Sequence, residues 1–150
     1  MIVTRRLSLC LLAAATFALP RMAAAGETNV GSDGLGIQGY DPVAYFTENR
    51  AVVGSPDFTA EHGGATYRFS SAAHRAAFMG DPEKYAPQYG GFCAYAVAQG
   101  ATAPIDPQAF TVLEGKLYLN YSDHVRAQWR NEASAFISKA DAIWPDLSSQ

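Results

Sequence analysis

Tyr67-Arg-Phe-Ser-Ser-Ala-Ala-His-Arg-Ala-Ala-Phe78, followed by Asp81-Pro-Glu-Lys-Tyr85, is the stretch on which the fold turns. It reads as the end of a strand, a serine cap, a short helix and a second capped turn. Ser70 or Ser71 can accept the free backbone donors of a helix running to Met79, and Gly80 supplies a stop. Asp81-Pro82 opens one further turn, which Pro87 closes. Upstream, Asp57 to Glu61 and Ala65 to Phe69 flank His62-Gly63-Gly64, a hairpin with a glycine turn. Further upstream, Asp41 and Pro42 suit the cap and first position of a helical segment that presents Val43 to Phe46 as apolar surface.

The order is repeated downstream. Phe110 to Leu113, Glu114-Gly115 and Lys116 to Tyr121 form a second hairpin. Ser122 caps a long helix with Val125, Trp129, Ala133, Phe136, Ile137 and Ala140 on one face, predicted to end before Trp144-Pro145. Both helices hold His-Arg spacing early and an aromatic later: His74-Arg75 before Phe78, and His124 and Arg126 before Trp129. Between the two units, Gly90-Gly91 leads into Phe92 to Gln99. Alternation of Phe92, Ala94, Ala96 and Ala98 would suit a strand, whereas the alanine content and terminal Gly100 favour a two-turn helix. The fold class expected is α+β: two β-hairpins, each followed by a helix, in a compact single domain with a long C-terminal helix.

The N-terminus addresses location. Arg5-Arg6 precedes an apolar run from Leu7 to Leu19, then Pro20 and Ala23-Ala24-Ala25. A charged start, a short apolar core and an A-x-A end describe a cleaved export signal over residues 1–25, too short for a spanning helix. Thr4-Arg5-Arg6 also fits the start of a twin-arginine signal, and a buried helix is the structural alternative. The expected organisation is a signal at 1–25, a polar Gly-rich mobile tail at 26–36, a domain at 37–145 and a short tail at 146–150, with the mature protein soluble in the periplasm. Residues 1–25 hold three arginines and no acid, so their removal takes the formal charge from −3 to −6. An acidic chain with no basic run argues against nucleic acid as a partner. No later stretch is long enough to span a bilayer.

With Cys10 inside the signal, Cys93 stands alone, which rules out an internal disulfide and leaves a packed, reactive, intermolecular or metal-bound thiol. No nucleophile elbow, C-x-x-C, phosphate loop or zinc-type histidine pair is present, so nothing specifies a reaction.

Four stretches carry a resemblance to the YHS family: the opening motif, Gly39-Tyr-Asp-Pro-Val-Ala-Tyr-Phe46, Asp81 through Gly90-Gly-Phe-Cys-Ala-Tyr95, and Gly115-Lys-Leu-Tyr-Leu-Asn-Tyr121. Together they look like the exported bacterial branch of that family and span roughly residues 37–145. The resemblance implies a small domain associated with metal handling. The family's F-C-S-x-x-C and D-P-V-C cysteines fall here on Ser70, His74 and Ala44, so its thiolate site is dismantled. Some proteins of this branch are described as selenoproteins, which would favour redox chemistry if that chemistry involves the position of Cys93.

Cys93, at the start of the expected helix, would have its thiolate favoured by the unpaired backbone donors there; the alternative is an inert packed cysteine. His74, at a family ligand position, is the best imidazole candidate for a metal, against a role as a cap or surface group. His62 and His124 read as solvated. Tyr89 and Tyr95 lie close in sequence to Cys93 and, with Ser70, are candidate supporting residues, although aromatic packing explains the tyrosines equally well. Three functions stay open: an exported protein binding copper or another soft or borderline transition metal through Cys93 and His74, with the metal completed across a homodimer or by another group; a thiol-based redox protein using Cys93; and a binding or structural module whose old site is packed core. The partners they imply are a metal ion, a small molecule or a second protein.

Overall fold

The structure, a computed structural model, describes residues 27–150. The export-signal reading of residues 1–25 lies outside them. A 3-10 turn at Ile37–Gly39 leads to α1 (Ala44–Thr47), whose start is set by Asp41. Its Oδ1 accepts from the backbone N–H groups of Val43 at 2.8 Å and Ala44 at 3.3 Å, meeting two donors that a helix start leaves free.

β1 (Ser55–His62) and β2 (Ala65–Phe69) pair antiparallel with His62 opposite Ala65. The turn is therefore Gly63-Gly64 alone, and both have positive φ, 58° and 85°. Only glycine takes that conformation without cost, so this residue pair sets the hairpin register. β2 buries Ala65, Tyr67 and Phe69 and turns Thr66 and Arg68 outward, the period-two pattern expected of a half-buried strand. α2 (Ala72–Gly80) follows, with Ser71 Oγ accepting from the backbone N–H of His74 at 3.1 Å. α3 (Pro82–Tyr85) is capped by Asp81, which accepts from the N–H of Lys84 at 3.3 Å. A 3-10 turn at Gln88–Gly91 precedes α4 (Ala94–Ala98), so Phe92 to Gln99 contains a helix rather than a strand.

β3 (Asp106–Leu113) and β4 (Lys116–Asn120) form the second antiparallel hairpin around Glu114-Gly115. Ser122 Oγ accepts from the N–H of Val125 at 3.2 Å and starts α5 (Asp123–Asn131). α6 (Ala133–Leu147) ends the fold. The two hairpins form separate two-stranded sheets. The architecture is α+β, each hairpin running into a helix, with a long helix at the C-terminus.

Three expectations need correction. The single long helix after Ser122 is two helices broken at Glu132, which has φ −135° and ψ 40°. The break lets Trp129 on α5 pack against Tyr118 of β4, with ring centroids 5.0 Å apart, while α6 lies along α4. Second, the last helix does not stop before Trp144-Pro145; it carries both and reaches Leu147. Pro145 removes the N–H that would bond the Asp141 carbonyl, which one position near a helix end tolerates. The 146–150 stretch is correspondingly part helix. Third, the stretch expected as a mobile tail is tied down. Gly36 donates to the Thr66 carbonyl at 3.0 Å, Thr66 donates to the Gly34 carbonyl at 2.9 Å, and Leu35 is buried. Glu27 donates to the Ser148 carbonyl at 3.0 Å and Asn29 to that of Gly90 at 2.9 Å.

The core has two lobes. One gathers Val43, Tyr45, Phe69, Phe78, Cys93, Leu117 and Leu119. The other centres on Trp129, with Tyr118, Val97 and Ala140. Among the described residues no helix is long and apolar enough to cross a membrane.

Candidate functional site

His74 sits in the first turn of α2, where the Ser71 cap fixes its backbone. From there Nδ1 reaches Asp41 Oδ2 at 2.6 Å. Asp41 is fully buried, and a buried carboxylate needs donors on both oxygens. It has them. Besides the two α1 amides on Oδ1, Oδ2 accepts from the Ser70 N–H at 2.9 Å, from Ser70 Oγ at 2.7 Å and from His74. A carboxylate can only accept, so His74 Nδ1 carries a proton. Nε2 is left facing Thr47 Oγ1 at 3.4 Å. A carboxylate behind an imidazole is the pairing that orients histidine metal ligands. Here Thr47 is the polar side chain at Nε2, and among the described residues no three His, Cys, Asp or Glu side chains gather closely enough to hold a metal ion.

Cys93 lies elsewhere in the chemistry. Its thiol donates to Asn120 Oδ1 at 3.5 Å, and the same oxygen accepts from the Tyr95 N–H at 3.1 Å. Asn120 is fully buried on β4, and its Nδ2 has no hydrogen-bond partner among the described residues. Cys93 is 1% exposed and packs within the first core lobe. Cys93 does stand at the start of α4, as its N-cap residue, and of the two readings left open for it, a reachable thiolate and a packed cysteine, its burial matches the second. The polar partners of Cys93 and His74 do not overlap: Cys93 bonds to Asn120 and His74 to Asp41. Ser70 supports Asp41 and His74 rather than the thiol. Tyr95 meets Asn120 through its backbone, while its ring packs on Phe136 at 5.1 Å. Tyr89 points away, its phenol donating to Asp141 Oδ1 at 2.9 Å.

A separate concavity was not legible in the sequence. It is a cleft of about 530 Å³ between the tip of the first hairpin, the loop from Ala86 to Gly90, and the second half of α6. His62, expected to be solvated, forms one wall, with Nε2 3.2 Å from Glu83 Oε1 and its ring edge-on to Phe78 at 5.9 Å. His124 is exposed, as expected. Tyr67, Tyr89 and Trp144 supply aromatic surface, and the Tyr89 and Trp144 rings meet at 6.0 Å and 68°. Residues 27–29 cross the rim: Thr28 Oγ1 donates to the Gly63 carbonyl, and Asn29 Nδ2 donates to the Gly91 carbonyl at 3.0 Å.

Burial, and then the charge of Glu83, push the Tyr67 phenol up to about 12. Burial raises Tyr89 as well, followed by its hydrogen bond to Asp141. Both phenols therefore stay neutral at physiological pH. Glu83 lies inside the Asp81-Pro-Glu-Lys-Tyr85 capped turn and Trp144 in the Trp144-Pro145 pair read as a helix stop, but neither pattern points to a cleft, and Asp141 carries no motif. Comparison with family models, with curated proteins and with solved structures returned no match.

Proposed function

We propose that this chain is an exported binding module of YHS-like construction, without a catalytic set, whose ligand surface is the cleft beside Trp144 and whose former thiolate positions hold Ser70 and His74, bonded to Asp41, and the buried Ala44. The observation that supports it most directly is the cleft. Its volume of about 530 Å³ falls among small-molecule sites, roughly 300–1,000 Å³. Its walls come from segments far apart in sequence, joined at the rim by the hydrogen bonds of residues 27–29. Export rests on Arg5-Arg6, the short apolar run and Ala23-Ala24-Ala25. The soft-metal reading on Cys93 and His74 has less behind it, because Cys93 is a buried thiol bonded to Asn120, and at His74 the free Nε2 faces Thr47 with no group of three possible ligands among the described residues.

Amide chemical-shift mapping with a library of small polar and aromatic fragments tests this. Shifts should concentrate on residues 62–63, 86–90 and 141–145. A copper(I) competition titration run alongside should give no tight site that depends on Cys93 or His74. Fragment hits that ignore the cleft, together with tight copper binding lost in Cys93→Ser, would return the metal reading to first place.

A further inference from the structure

Resting on the reading of this cleft as a ligand site, we infer that its ligand is a small organic cation, an alkyl- or trimethylammonium group on a short chain. Charge is the first reason. The walls hold three carboxylates, Glu27, Glu83 and Asp141, against one ammonium, Lys116, and one imidazole, His62. Even with His62 protonated the balance stays negative, and that imidazole already lies against Glu83. The field acts on its surroundings: the charge of Glu83 contributes to the raised pKa of Tyr67, and that of Asp141 to the raised pKa of Tyr89, in each case after burial. The part of these shifts that comes from Glu83 and Asp141 marks a negative field, which favours positive charge on a guest and disfavours an anion, whereas burial opposes charge of either sign.

The second reason separates an organic cation from a metal ion. A hard metal needs several oxygens converging at about 2.0–2.6 Å. These carboxylates are spread around the cleft, and no three acidic, histidine or cysteine side chains among the described residues approach closely enough for that. Spread charges suit a larger, softer cation, which feels them over several ångströms rather than coordinating them. The third reason is the aromatic surface. Trp144 is half-buried, held edge-on to Tyr89 and packed beside Phe92 at 6.2 Å, so its orientation is set before a ligand arrives. Indole is the strongest cation–π partner among the side chains, and an alkylammonium matches a site that pairs it with carboxylates. Tyr89 donates its phenol to Asp141 and so holds one of those carboxylates at the wall.

The test uses choline and its uncharged isostere 3,3-dimethylbutan-1-ol as probes, with the Trp144 indole N–H resonance and the cleft amides as the readout. Choline should shift these signals saturably and bind at least about fivefold more tightly than the alcohol. Glu83→Gln and Asp141→Asn should each weaken choline while leaving the alcohol unchanged. Both variants keep the side-chain shape, and the amide oxygen that replaces the Asp141 carboxylate can still accept from Tyr89. Equal or tighter binding of the alcohol would overturn the inference while leaving the cleft as a ligand site. Cleft shifts with the fragment library but none with choline would have the same meaning. If neither probe nor any fragment perturbs the cleft, the inference and the underlying reading fall together.

Discussion

Asp41 takes a carboxylate to a position with no exposed surface, and its five donors are what make that tolerable. Those donors come from α1, from the end of β2 and from α2, so one side chain joins three elements. Asp41→Ala would leave the Val43, Ala44 and Ser70 amides unpaired together with His74. The expected cost is about 3–5 kcal/mol. His74→Ala removes one donor of five and should cost less, about 1–2 kcal/mol. Urea unfolding of the two variants checks the ranking; equal losses would mean that Asp41 acts mainly through the histidine. Cys93 gives a second test at this scale. With 1% exposure and a bond to Asn120, its thiol should react with iodoacetamide only after the protein is unfolded. Labelling of the folded protein at the rate of a model peptide would restore the thiol-redox reading.

At the scale of elements, the rim of the cleft depends on one glycine. Gly90 has φ +59°, and a Cβ there would lie 2.3 Å from the Glu27 carbonyl oxygen and 3.3 Å from Trp144 Cζ2. Gly90→Ala therefore combines a strained backbone with a backbone clash, and a loss of about 1–3 kcal/mol is expected from the strain alone. The clash makes the effect local. Residues 27–29 should detach, so the Asn29 amide, bonded to Gly90, should lose its protection from hydrogen exchange. The β3–β4 amides should keep theirs. Uniform loss of protection in both regions would show that the segment over the rim is integral to the global fold rather than laid on it. The α5–α6 break belongs to this scale too. Nothing around Glu132 in the sequence, neither glycine nor proline, demands it; two different packing partners do.

For the whole molecule, buried tyrosines set the response to alkali. Burial, and secondarily Glu83, raise the Tyr67 phenol from its usual 10 to about 12. Tyr45, Tyr89 and Tyr118 are also raised, burial being the largest cause in each. Above pH 10 the unfolded chain releases these protons while the folded chain retains them, so stability must fall as pH rises. The contribution is complete below pH 10 and lost as pH passes through 12. Two units at Tyr67 alone correspond to roughly 2–3 kcal/mol. Denaturant midpoints measured from pH 8 to 11.5 should be flat at first and then drop, and Tyr67→Phe should flatten the drop. A profile unchanged by that substitution would assign the alkaline loss to the other tyrosines.

Local signals in the sequence determined the hairpins, the caps and the α+β class. Gly63-Gly64 and Glu114-Gly115 set their turns, and Ser71, Asp81 and Ser122 accept from backbone N–H groups three residues on. Such features rest on interactions within a few residues, so spacing and residue type suffice to read them. Asp41 was legible as a cap for the same reason, but its second oxygen was not, because Ser70 and His74 reach it across about thirty residues of chain. Cys93 illustrates the opposite limit: spacing placed it at a helix start, and only packing against β4 decided that it would be buried. Tertiary structure alone made the cleft, brought Glu83, Asp141 and Trp144 to its walls, and bound residues 27–36 to the body of the protein. Each of these depends on contacts between distant segments, whose formation is governed by the burial and pairing available in the assembled core rather than by any local pattern.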